Sequence, residues 1–220
     1  MNISEALRRR KSIRAFKSTP VPEATLETIF SNALKSPSNC NVQPWQTYVV
    51  SGQLKSQLTT QLMEEILSGV APYPEVDWKI QFTGEKQGRK DASANALYSA
   101  MGIIREDKPA RKAALLRNWQ FFDAPHAIFF TMERELGLAG AVDLGIFAQS
   151  LSLGAVEHGI SSCFQAALNQ FPGPIKRSLS IPDDHIILFG MSLGYEADDA
   201  PVNKAKTDRE SLTKLVLFKS

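Results

Sequence analysis

Apolar residues along the chain recur with two different periods, and the switches between them mark the elements. Ser4 reads as the N-cap of a first helix running through Glu5, Ala6, Leu7 and Arg8. Glu23 to Ser36 carries Leu26, Ile29, Phe30, Ala33 and Leu34 at helical spacing, and Gln53 to Leu67 repeats the pattern with Leu54, Leu58, Leu62 and Ile66. Between them, Trp45 to Val50 alternates and is rich in β-formers, which predicts a strand. Ala127 to Met132 is uniformly apolar and predicts a central strand. Gly140 to His158 is apolar nearly all round, which predicts a helix buried in the core or at a large subunit interface. Ile160–Gln165 reads as a short strand or turn, Ile186–Met191 as a strand, Pro174–Leu179 as a short helix, and Leu215–Phe218 as a strand or arm. Ala71 to Asp91 fits neither period. With Pro72, Pro74 and the aromatics Tyr73, Trp78 and Phe82, it reads as an excursion or lid, followed by helices over Ala92–Ile104 and Pro109–Phe122.

This order has too few strands for a doubly wound sheet. No G-x-G-x-x-G follows a strand and no G-x-x-x-x-G-K-[ST] is present, which argues against a Rossmann domain or a P-loop. An α+β fold with a small sheet between helices is expected. No repeat, linker or low-complexity tract divides the 220 residues, so one domain is expected. Hydrophobic content of 43% and charge of 22% suit a soluble globular chain. The net charge is only +2, so any cationic cluster is local, which argues against a nucleic-acid partner. No uninterrupted apolar run approaches the roughly 20 residues of a membrane span, and Met1–Glu5 lacks a signal-peptide core, so no membrane partner and a cytoplasmic location are expected. Cys40 and Cys163 form no C-x-x-C pair, and His126, His158 and His185 are scattered, so no disulfide or metal site is signalled.

Two segments carry the candidate chemistry. The first is Arg8-Arg9-Arg10-Lys11-Ser12-Ile13-Arg14-Ala15-Phe16. If it is extended, Arg10, Ser12 and Arg14 project to one side, and two guanidiniums with a hydroxyl suit a phosphate. The competing reading is a solvated basic turn complementing a helix C-terminus. The second is Ser36-Pro37-Ser38-Asn39-Cys40-Asn41-Val42-Gln43-Pro44-Trp45. Ser38, Asn39, Asn41 and Gln43 can match the acceptors and donor on a flavin edge, although such residues also make ordinary turns. Phosphate clamp and polar loop together point to a phosphorylated heteroaromatic cofactor, with FMN the leading candidate.

These motifs, R-R-x-S-I-R-x-F and S-P-S-x-x-N-x-Q-P-W, resemble the nitroreductase family of FMN-dependent flavoproteins. The similarity continues through Gly140–Gly159, Gly159-Ile160-Ser161-Ser162-Cys163, Ile181-Pro182-Asp183, Leu193-Gly194-Tyr195, Asn203 and Arg209. The resemblance implies a three-layer α+β domain over residues 1–220, with a small, mostly antiparallel central sheet flanked by helices. It implies an intertwined homodimer with FMN at each of two subunit-interface sites. Arg10, Ser12 and Arg209 would hold the phosphate, with Lys11 beside them. Arg14 would lie near the pyrimidine end of the ring. Pro37, Ser38, Asn39 and Asn41, with Gln43 in the same loop, would come from the partner. The family meets flavin N5 with a backbone N–H in a turn that often reads P-x-E-G. Here that turn is Phe164-Gln165-Ala166-Ala167, so the acidic residue is absent and Ala166 or Ala167 would supply the donor. A second cation often precedes the C-terminal arginine, and here Lys206 is the nearest. The implied activity is ping-pong hydride transfer from NAD(P)H through flavin N5 to nitroaromatic or quinone-like acceptors, with no catalytic acid or base among the side chains. Alternatives are dehalogenation, enone reduction or flavin fragmentation on the same scaffold, or a non-catalytic flavin-binding protein. Residues 71–116 would form a variable excursion near the active site.

Overall fold

Four strands, β1 (Gln46–Ser51), β2 (His126–Glu133), β3 (Ser161–Gln165) and β4 (His185–Gly194), form one antiparallel sheet in the order β1-β2-β4-β3. The computed structural model describes residues 1–76 and 80–219. Around the sheet lie α1 (Ile3–Arg9), α2 (Glu23–Ala33), α3 (Gly52–Leu67), α4 (Gly84–Ala100), α5 (Lys108–Leu116), α6 (Gly137–Glu157) and α7 (Pro172–Leu179). A single turn, α8 (Leu212–Leu215), follows.

The uniform apolarity of β2 has a direct cause. Its even-numbered residues Ile128, Phe130 and Met132 pack with Ile29, Leu144, Phe147 and Leu151, from α2 and α6. Its odd-numbered residues Ala127 and Phe129 pack with Leu58, Leu62 and Ile175, from α3 and α7. A strand covered on both faces has no solvent side, so the alternation that marks β1 disappears. The result is the expected α+β sandwich of helices, sheet and helices.

α6 divides along its length into two faces. Leu144, Phe147, Ala148, Leu151 and Ala155 are fully buried. On the other side Leu138 is 82% exposed and Val142 55%. By length and composition alone the segment Arg134–Glu157 could cross a bilayer, but it packs on α1, α2 and the sheet as a core helix.

Several expectations are corrected. Asn2, not Ser4, caps α1: its side-chain oxygen accepts the Glu5 N–H at 2.9 Å. Leu34 and Leu54 are exposed, because the buried stripes of their helices run through Ile29 and Ala33 and through Leu58 and Leu62. Helix α4 begins at Gly84, ahead of the expected Ala92, and α5 stops at Leu116. After it, Phe121, Phe122 and Asp123 all take positive φ, and the Ser192 hydroxyl holds the Phe121 carbonyl at 2.9 Å. Leu215–Phe218 does not join the sheet: α8 ends at Leu215 and the residues beyond it are exposed.

The irregular start of the excursion is pinned rather than loose. Tyr73 Oη donates to Glu65 and accepts the Gly173 N–H, while the Glu75 carboxylate takes Lys176 Nζ at 2.9 Å, Arg134 at 3.2 Å and the Ile187 N–H at 3.0 Å. Trp78, part of the expected excursion, lies outside the described residues.

Candidate cofactor site

The cationic segment leaves α1 at Arg10 and becomes extended. Ser12 bridges Ser162 in parallel, the Ile13 N–H donates to the Ser162 carbonyl at 3.1 Å, and Phe16 bridges Glu196. The chain therefore runs along β3 as an extra edge, and alternation sorts its side chains. Ile13 is fully buried against Phe122, Ala124 and Cys163. Arg10, Ser12 and Arg14 gather near the buried Cys163 thiol. Burial raises the pKa of that thiol, while Arg14, Arg10 and a hydrogen bond with Ser12 act against the rise.

Asn203 fixes this geometry from the far end of the chain. Its buried side chain accepts the Arg14 N–H at 2.8 Å and donates to the Ala15 carbonyl at 2.9 Å. Lys11 pairs with Glu196 at 2.7 Å, and both line the cavity beside Arg10. Arg10 is half-buried and, among the described residues, forms no ion pair. Its pKa is lowered, first by burial and then by the charge of Arg209. Arg209 is exposed and turns onto its own segment, at 3.1 Å from Thr207 Oγ1 and 2.9 Å from the Asp208 carbonyl. With Lys206 it lines a groove against α4. Two guanidiniums that repel one another, beside a hydroxyl, suit a phosphate dianion. The donor set thus fits the phosphate end of FMN.

The polar loop is strained and held. Cys40, Asn41 and Gln43 all adopt positive φ (49°, 57° and 51°), a conformation easy for Asn and costly for the others. The Ser38 hydroxyl accepts the Gln43 N–H at 2.9 Å, and Asp143 Oδ2 accepts the Asn39 N–H at 3.0 Å. Pro37, Asn39, Asn41 and Gln43 are exposed and Ser38 half-exposed, so the loop is displayed. It sits on the first third of α6, whereas the Arg10 cavity borders Gly159, past the other end of that helix. At helical rise, Asp143 and Gly159 are roughly 24 Å apart. Within one chain the two expected half-sites are therefore not brought together.

At the end of β3, Gln165 is only 2% exposed, and its side chain is directed inward. Its Nε2 donates to the Asn118 carbonyl at 2.8 Å, and its Oε1 accepts from Ser192 at 2.5 Å. Only its backbone remains to meet a ligand. Ala166 is exposed and Ala167 half-buried at the start of a 3₁₀ turn, with the Ala167 carbonyl accepting Trp119 Nε1 at 3.1 Å. A cavity of about 370 Å³ opens beside Arg14, walled by Leu97, Tyr98, Met101, Phe122 and Val202.

The family model for the nitroreductase family matches residues 7–195. The chain belongs to the nitroreductase family. It is 34% identical over 215 residues to nitroreductase NfnB of Mycolicibacterium smegmatis, covering 95% of this chain and 89% of that one. It is 32% identical to a 4-nitrobenzoate reductase of Nocardioides sp., covering 96% and 87%. The crystal structure of the FMN- and NADPH-dependent nitroreductase NfnB from Sphigopyxis sp. strain HMH superposes with a TM-score of 0.97 at 34% identity, covering all of both chains. NfnB from Mycobacterium smegmatis in complex with NADPH superposes at 0.93 with 30% identity, again over all of both chains.

Asp143 is the residue of this nitroreductase that reasoning from sequence missed. The signal was present: it is the one charged residue between Gly140 and Val156, in a mostly apolar stretch. A charge placed there needs a partner, and the Asn39 N–H supplies it.

Proposed function

We propose that this nitroreductase binds FMN and uses NAD(P)H to reduce nitroaromatic compounds. The observation that carries the reading is the Arg10–Arg209 pair beside Ser12, without an acidic partner for Arg10 among the described residues, in a chain that matches FMN- and NADPH-dependent relatives along its whole length. When bound, FMN supplies hydride transfer through its N5. Arg10, Ser12 and Arg209 hold its phosphate. Arg14 offers a fixed cation toward the pyrimidine end. The Ala166–Ala167 backbone, at the end of β3, would offer an N–H to N5. Among the described residues of this region no side chain is assigned as a general acid or base, and water or a flavin hydroxyl would deliver protons.

The site is completed by a second copy. The loop Pro37–Gln43 and the Arg10 cluster lie at opposite ends of α6, and Leu138, Val142, Ile3, Leu7 and Val42 leave apolar surface open. An isologous dimer that covers this surface would bring one chain's loop to the other's phosphate cluster. Residues 1–220 then form one FMN-binding domain, working in the cytoplasm, with the 71–116 excursion beside the substrate.

The test is direct. Purified protein is expected to be yellow, to release FMN on denaturation, and to bleach when mixed anaerobically with NADPH or NADH. Colour should return on addition of 4-nitrobenzoate, with appearance of the hydroxylamine or amine. Absence of flavin, or bound flavin that neither nucleotide bleaches, would overturn the reading.

A further inference from the structure

The α4–α5 excursion concentrates positive charge. Residues 84–117 hold eight Lys and Arg against four Asp and Glu, although the chain as a whole carries only +2. Three of the four acids are already engaged: Glu85 with Lys214 at 2.9 Å, Asp91 with the Gln87 amide at 2.8 Å, and Asp107 capping α5 through the Ala110 N–H at 2.9 Å. Among the described residues Arg105, Lys108, Arg111 and Lys112 form no ion pair.

Two of these cations share a cavity. Arg105 and Arg111 line a space of about 430 Å³ together with Asn95 and Ser99, and among the described residues no carboxylate lines it. Arg111 is held in place: its guanidinium lies 3.9 Å from the centroid of the Tyr98 ring. Tyr98 is also a wall of the apolar 370 Å³ cavity that opens beside Arg14. Tyr98 thus stands as a shared wall between the apolar chamber beside Arg14 and the space that holds the two guanidiniums.

We infer that Arg105 and Arg111 form a phosphomonoester subsite that takes the 2′-phosphate of NADPH. The inference rests on the oxidoreductase reading above and deepens it. A phosphate monoester carries nearly two negative charges at neutral pH and several acceptor oxygens, which two guanidinium forks match. NADH has a neutral hydroxyl at the same position and gains nothing from the pair. The arrangement makes this chain an NADPH-preferring enzyme.

Calorimetric titration of the FMN-loaded protein with 2′,5′-ADP and with 5′-AMP tests this without turnover. Wild type should bind 2′,5′-ADP more tightly by about tenfold or more. Arg111→Met and Arg105→Met keep the apolar stem, and each should lose most of that difference, while Lys112→Met should keep it. In turnover, kcat/KM for NADPH should fall about tenfold in each arginine variant with NADH unchanged. Equal binding of the two nucleotides by wild type overturns the subsite. So do losses that fall equally on NADH, or a rise in KM for 4-nitrobenzoate in place of NADPH. If neither nicotinamide nucleotide bleaches the flavin, the oxidoreductase reading fails, and the calorimetry still decides the subsite.

Discussion

Arg10 and Arg209 come from opposite ends of the chain, yet lie close enough that, after burial, the charge of Arg209 further lowers the pKa of Arg10. A half-buried guanidinium facing a second one is an unfavourable arrangement that an anion relieves. Arg209→Ala should weaken FMN binding by about tenfold or more, read by fluorescence titration of the apoprotein. Unchanged affinity would remove Arg209 from the phosphate site.

Arg14 and Arg209 should differ in what their loss does to the reduction potential. Arg209 would face a phosphate whose charge is the same in both redox states, so Arg209→Ala should leave the potential of bound FMN nearly fixed. Arg14 would lie toward the ring, where negative charge grows on reduction. Arg14→Ala should lower the potential, by roughly 30 mV for each ~1.4 kcal/mol lost. Spectroelectrochemical titration at saturating FMN measures both. Equal shifts would mean that the ring and phosphate ends are assigned the wrong way round.

Asp143 holds the Asn39 N–H and with it a loop containing three non-glycine residues at positive φ. Asp143→Ala leaves that N–H without its acceptor and should cost about 1–3 kcal/mol in unfolding free energy. It should also weaken FMN binding, because the displayed loop residues relax. A variant with lowered thermal stability but unchanged FMN affinity would show that the loop does not contribute to the cofactor site.

Val142 is 55% exposed on α6 while Leu144, two residues on, is buried. A charge at Val142 is therefore harmless to the core and disruptive only to a partner. Val142→Glu should give a folded monomer by light scattering that has lost FMN. A variant that stays dimeric and yellow would place the interface elsewhere.

His126 is a buried histidine in a fixed tautomer. Nε2 accepts the Val21 N–H at 2.9 Å, which leaves Nδ1 to carry the proton beside the Ser51 hydroxyl. Protonating Nε2 would break the Val21 bond. Burial, and then the charge of Lys55, lower its pKa below the ordinary histidine value. The unfolded chain thus binds the proton more readily, so this contribution to stability is complete above about pH 6.5 and is lost as pH falls through the lower folded-state pKa. Wild-type unfolding midpoints should drop between neutral pH and about pH 5. In His126→Gln that drop should be smaller, measured by denaturant titration at several pH values. An identical pH profile in the variant would remove His126 as its source.

The sequence by itself determined the elements and the chemistry on offer. The period of Leu58, Leu62 and Ile66 specifies α3, the uniform apolarity of Ala127–Met132 specifies a central strand, and the alternation of Arg10, Ser12 and Arg14 specifies three polar side chains on one side of an extended segment. Local periodicity carries that information because a helix or strand exposes its faces at fixed spacing. It does not carry contacts between distant segments. Only the tertiary structure placed Arg209 near Arg10, clamped Arg14 with Asn203, turned the Gln165 side chain inward to Asn118 and Ser192, and put Asp143 under Asn39. It also showed that the loop and the phosphate cluster stand at opposite ends of α6, so that a site legible as two adjacent motifs is divided in one chain. The reason is physical: α2 and α6 pack to bury Ile29 and Leu151, and that packing, not the short stretch of sequence between the motifs, sets where each one faces.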